Sequence, residues 1–107
     1  MAFSADYLEF ILDQFQEFGE ITHKKMFGGV GFYKDGTMFG GIMGGELHLK
    51  VNDETRPIFE AEGMEPFFHG GKKKSLPTYY KVPANIVEDS SQLAIWAERA
   101  YQAAIGK

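Results

Sequence analysis

The chain has 107 residues, is 44% apolar and 15% aromatic, and contains 13 glycines and no cysteine. That composition excludes wholesale disorder and fits one domain, residues 1–107, with a core of its own. Without cysteine there is no disulfide, thiolate nucleophile or zinc–thiolate site, and nothing marks an oxidising compartment. The N-terminus lacks the basic and apolar stretches of a secretory signal, and no apolar run is long enough to cross a membrane, so a cytoplasmic protein is expected. A formal net charge of −4 argues against a general nucleic-acid binder. The charge is unevenly spread, however. Residues 1–20 carry Asp6, Glu9, Asp13, Glu17 and Glu20 and no base, whereas residues 66–81 carry Lys72, Lys73, Lys74 and Lys81 and no acid.

The first element is a predicted helix, because Leu8, Ile11, Leu12, Phe15 and Phe18 recur at helical spacing on one face. Ser4 is placed to cap it, Phe3 and Leu8 to form a hydrophobic staple, and Gly19 to stop it. Phe10 is the exception, projecting among the acids. From Gly28 to Gly45 the chain becomes glycine-rich. Asp35-Gly36 and Gly44-Gly45 each read as two-residue hairpin turns, which require positive φ at both central positions.

If both loops hold two residues, paired positions sum to 71 across the first turn and 89 across the second. Tyr33, Gly31, Met38, Ile42, Leu47, Leu49 and Val51 then share a core face with a row of glycines. The outer face carries Val30, Phe32, Phe39 and Met43, an apolar strip that marks an interface unless a second layer covers it. Asn52 or Asp53 is expected to cap a short helix that accepts Pro57 near its first turn and stops at Gly63. Glu65 to His69 and Thr78 to Val82 read as two more strands. After one loose turn over residues 84–88, Asp89 with Gln92 starts a last helix with the stripe Leu93, Trp96, Ala97, Ala100, Tyr101 and Ala104. The order is α-β(3)-α-β(2)-α, an α+β fold in which helices cover an antiparallel sheet.

Motif chemistry excludes more than it offers. Gly71-Lys72 lacks the upstream glycine and the following Ser or Thr of a phosphate loop, and Gly29-Val30-Gly31 leads into a hairpin rather than a helix. His23, His48 and His69 show no metal-ligand spacing, and His48, between Leu47 and Leu49, points away from the core as a surface or interface histidine. No serine sits in a nucleophile elbow, and the acids of the first helix do not converge on a cleft. No catalytic residue, cofactor or metal is therefore assigned. Two features remain. Lysines 72–74 with Tyr80 and Lys81 interleave basic and aromatic groups, as nucleic-acid contacts do. Val30, Phe32, Phe39, Met43 and Phe10 are the candidate partner interface. A small-molecule or enzymatic site beside the glycine row is the weakest reading, since no polar set converges there.

The stretch from Lys24-Lys25-Met26-Phe27-Gly28-Gly29 to Asp35-Gly36 resembles the N-terminal domain of the TfoX/Sxy family. The match continues through Leu47-His48-Leu49-Lys50-Val51, Asp53-Glu54-Thr55-Arg56, Pro66-Phe67, Tyr79-Tyr80-Lys81-Val82-Pro83 and Trp96-Ala97. The resemblance implies a fold like that of secretion chaperones. It also implies a non-enzymatic role in regulation, since TfoX/Sxy proteins regulate natural competence together with the cyclic-AMP receptor protein. The regulators carry a second, helical domain after this one, and here the chain stops at Lys107, so a stand-alone N-terminal domain is expected. Its expected mode of action is contact with a protein partner or a second copy, in transcriptional regulation, with nucleic-acid contact as the alternative.

Overall fold

The computed structural model describes residues 4–26, 28–68 and 75–106 of the chain. Helix α1 (Ala5–Gln14) begins at Ser4, whose hydroxyl accepts from the Tyr7 N–H at 3.4 Å. Its last regular residue is Gln14; the chain then continues in tight turns to Gly19, which has a φ of 119°. Four strands follow as a meander: β1 (Thr22–Met26), β2 (Gly29–Lys34), β3 (Thr37–Met43) and β4 (Glu46–Lys50). Helix α2 (Arg56–Ala61) then leads into β5 (Pro66–Phe68) and β6 (Ser75–Lys81), and α3 (Ala84–Val87) and α4 (Ser90–Ala104) close the chain. The six strands form one antiparallel sheet in the order β1-β2-β3-β4-β6-β5. The helices pack on a single face of it, giving the α+β layer expected from the sequence.

Both hairpin turns form as their residues require, with positive φ at Asp35, Gly36, Gly44 and Gly45. The second hairpin holds the expected register throughout, from Met43 opposite Glu46 to Gly40 opposite Leu49. The first does not. Lys34 and Tyr33 oppose Thr37 and Met38, but Phe32 then opposes Gly40, so Phe39 is an extra residue in β3. This is a β-bulge; it keeps Phe39 on the same side as Phe32 and brings both onto the face of Ile42, Leu47 and Leu49. The outer strip expected from the sequence is thereby corrected: Val30, Phe32 and Phe39 are buried core residues, not an exposed interface. Phe15 meets Phe32 and Phe39 edge-on, with ring centroids 5.4 and 5.5 Å away. Tyr33 and Met38, expected in the core, lie on the opposite, open face, where they close over Gly31 together with Met26.

Ile42, Leu47, Leu49 and Val51 are buried as expected, beneath α1 and α4. Phe59 of α2 packs edge-on against Trp96 at 4.8 Å, and the buried stripe of α4 is Leu93, Trp96, Ala97 and Ala100. Asp89 caps α4 by accepting from the Gln92 N–H, and Asn52 accepts from the N–H groups of Glu54 and Thr55 to shape the entry to α2. The glycines of β2 and β3 mark close strand approach rather than a ligand cradle. A Cβ on Gly41 would run into the Val30 carbonyl oxygen, and one on Gly29 into that of Ile42. Strand β1 has no counterpart among the expected elements; four of its five residues are exposed, so it carries no apolar alternation to read.

The two phenylalanines that the sequence placed on one interface now separate in energy. Phe39→Ala is expected to cost about 3–5 kcal/mol through loss of buried area and an unfilled cavity. Phe10→Ala, at an exposed position, should stay within about 0.5 kcal/mol of the parent. Urea unfolding of the two variants checks the difference.

Candidate functional site

At the end of the sheet where β3 turns into β4, several elements leave apolar side chains half covered. The β3–β4 turn supplies Met43, the segment after α2 supplies Met64, and β5 supplies Phe67. Together with His48 and Lys81 they line a cleft of about 360 Å³ on the open face of the sheet. A second cleft, about 430 Å³, adjoins it and shares Glu46, Met64 and Lys81. This one passes round the end of the sheet to Tyr7 and Phe10 of α1 and to Val87 of α3. A third hollow extends it along α1 past Phe10, between Asp6, Glu9 and Asp13. The result is one furrow, crossed midway by an ion pair between the Lys81 ammonium and the Glu46 carboxylate at 3.4 Å.

The furrow is held in place by a few specific contacts. The Tyr7 hydroxyl accepts from the Leu47 N–H at 3.4 Å, anchoring the start of α1 over β4, and burial raises its pKa. The Gln14 side-chain amide donates to the Val87 carbonyl at 2.8 Å, joining α1 to α3. Phe10 packs at 6.3 Å from the Tyr7 ring yet remains 40% exposed, amid the acids as the sequence indicated.

His48 is the buried polar residue of this region, which corrects its expected surface position: it faces away from the helices but lies 5% exposed. The Phe67 ring meets it edge-on at 5.2 Å. Its Nδ1 lies 2.9 Å from the Glu46 carbonyl oxygen, which can only accept, so Nδ1 carries the proton and Nε2 is the acceptor nitrogen. Burial lowers its pKa below the ordinary 6.5, outweighing the opposing pull of the Glu46 carbonyl and carboxylate. The imidazole is thus a neutral packing group at neutral pH.

The other sequence-derived contacts are distributed differently. Lys72, Lys73 and Lys74 lie outside the described residues, as does His69. Tyr80 is corrected from a base-stacking surface residue to a core one: it is 4% exposed, packs at 6.0 Å from Phe59, and donates its hydroxyl to Glu60 at 2.7 Å. Lys81 is exposed but sits in the furrow, beside Glu46. On the open face the aromatic-basic pair is instead Lys50 with Tyr79, the ammonium 5.2 Å from the ring centroid. Of the expected interface, Phe10 and Met43 both line the furrow, in separate parts of it. Met64, Phe67 and Val87 were missed; Met64 and Phe67 flank the start of β5, and no periodicity distinguishes such residues from core.

Among the described residues, no three His, Asp or Glu side chains cluster as a metal site would require. No helix of the described residues is long and apolar enough to cross a membrane. A family model, the TfoX N-terminal domain, matches residues 13–104. The chain belongs to that family. A comparison with curated proteins finds no match. The TfoX N-terminal domain family is not a known enzyme family, and the furrow, which lies largely within the matched span, has an apolar floor with acids along its rim.

Neutral His48 makes the stability of this TfoX domain pH-dependent. Well above pH 6.5 folded and unfolded chains both hold the imidazole neutral, and its contribution is fully present. As the pH falls below that value, the unfolded chain takes up a proton that the native site resists, so stability declines through the lowered native pKa. Thermal unfolding followed from about pH 7.5 down to about pH 5 should show falling midpoints, with a shallower slope in His48→Gln.

Proposed function

We propose that this TfoX N-terminal domain is a non-enzymatic cytoplasmic adaptor that acts in regulation by binding a protein partner along the furrow. The observation that carries the reading is the run of partly covered apolar groups, Met43, Met64 and Phe67, continuing to exposed Phe10. Methionines and a free aromatic ring at a grooved surface suit an adaptable protein contact. A catalytic role would need polar groups converging on one point, and His48, the buried imidazole lining the furrow, is committed to a backbone carbonyl and an aromatic ring. The family, with its resemblance to competence regulators, supports a regulatory setting, including transcription. The reading is tested directly: a protein retained from the native cell, then purified, is expected to bind the parent domain and to lose at least about tenfold in affinity for Phe10→Ala/Met43→Ala. Equal binding by that variant overturns the reading. Sedimentation of the domain alone reads the case in which the partner is a second copy.

A nucleic-acid contact is the second reading, favoured by the Lys50–Tyr79 pair on the open sheet face, with Tyr33 and Lys24 on the same side. It retains Lys81 and the lysines 72–74 from the sequence. Single-stranded oligonucleotide binding at low salt is its expected signature, weakened by Tyr79→Ala and by added salt. Absence of binding at low salt ends it.

A further inference from the structure

The furrow is apolar along its floor and acidic along its rim, and the two together restrict what fits. Among the described residues, Asp6, Glu9, Asp13, Glu46, Glu65 and Glu88 line its three parts, against one lysine, Lys81, which is already within 3.4 Å of Glu46. His48 adds no charge at neutral pH, because burial holds it neutral. An acidic partner would bring like charges together along this rim. A neutral apolar partner would cover those carboxylates without compensating them. Only a cationic segment satisfies floor and rim at once.

We infer that the furrow takes a basic amphipathic segment of a partner protein, apolar on the side facing Met43, Met64 and Phe10 and bearing lysine or arginine on its flanks. The inference rests on the protein-binding reading above and adds the chemistry of the partner to it. The apolar floor supplies the anchor positions at which side chains of the segment leave water. Half-buried Met43 and Met64 have unbranched, adaptable side chains that repack around a range of apolar anchors. The rim carboxylates then set orientation and partner choice, since Asp6, Glu9 and Asp13 lie along α1 on one side of Phe10 while Glu46 and Glu88 lie on the other. The same arrangement disfavours self-association through the furrow, because α1 of a second copy would present its own acids to this rim.

The test uses the whole domain and a designed probe, a Leu/Lys amphipathic peptide of about 18 residues, with a Leu/Glu peptide of the same pattern as its counterpart. The Leu/Lys probe is expected to bind at low salt and to shift the backbone amide resonances of Phe10, Met43 and Met64. Raising salt should weaken it about tenfold. Phe10→Ala should weaken it about tenfold through the lost anchor. Glu9→Lys/Asp13→Lys should do the same through the lost rim charge. All three positions are exposed, and circular dichroism verifies the fold. Absence of Leu/Lys binding at low salt overturns the inference, as does binding that neither variant weakens. Tighter binding of the Leu/Glu probe at the same resonances also overturns it, while leaving the furrow as a protein-binding site.

Discussion

The ring of Phe15 fits edge-on against both Phe32 and Phe39, and the placement of the remaining elements follows from that contact. Phe15 lies just past the end of α1, so clamping it to the sheet fixes the direction in which the helix runs back toward its N-terminus. Phe18 extends the cluster, meeting Phe39 at 5.2 Å, and the Lys34 ammonium sits 4.2 Å above the Phe18 ring on the outer side. Such a cluster requires two aromatic side chains from neighbouring strands on one face at adjacent levels. A regular hairpin would place Phe39 directly opposite Phe32, but with both on the face away from Ile42, Leu47 and Leu49. The extra residue of the bulge brings both onto that face, and the close glycine contacts of β2 and β3 let the strands approach through the irregularity.

With α1 set in this way, Tyr7 reaches the Leu47 amide and Phe10 overhangs the end of the sheet. The furrow is therefore a product of the same packing that forms the core. It lies where a one-layered sheet ends and the helical layer begins, so its floor is made from both. That location explains why Met43, Met64 and Phe67 are half covered: each borders the core where no further layer among the described residues completes its burial. It also explains the depressed pKa of His48, since the Phe67 ring shuts out water from a face of the sheet that is otherwise open.

Much of this was legible in the residues. Ser4, Asp35-Gly36, Gly44-Gly45, Asp89 and the stripes of the first and last helices act through local backbone chemistry, which needs no knowledge of tertiary contacts. The register of the second hairpin followed by arithmetic. The bulge did not, because Val30, Phe32, Phe39 and Met38 are all apolar and alternation assigns each of them equally well to either face. One additional residue exchanged Tyr33 and Met38 for Phe32 and Phe39 as core. Tyr80 was misplaced for a related reason: next to Tyr79 and Lys81, nothing local says which of two adjacent tyrosines turns inward. In the furrow, Phe10 was identifiable as an apolar residue out of phase with its helix, whereas Met64 and Phe67 gain their meaning from chain segments distant in sequence.

Strand β1 has a consequence of a different kind. It is the outermost strand of the sheet, and an edge strand is the sort of template on which sheets of separate molecules fuse. Thr22, His23, Lys24 and Lys25 are all exposed there, and an incoming strand would have to accommodate two adjacent lysines. The polarity that hides this strand from hydrophobic patterning is thus what protects the molecule from polymerising along its rim.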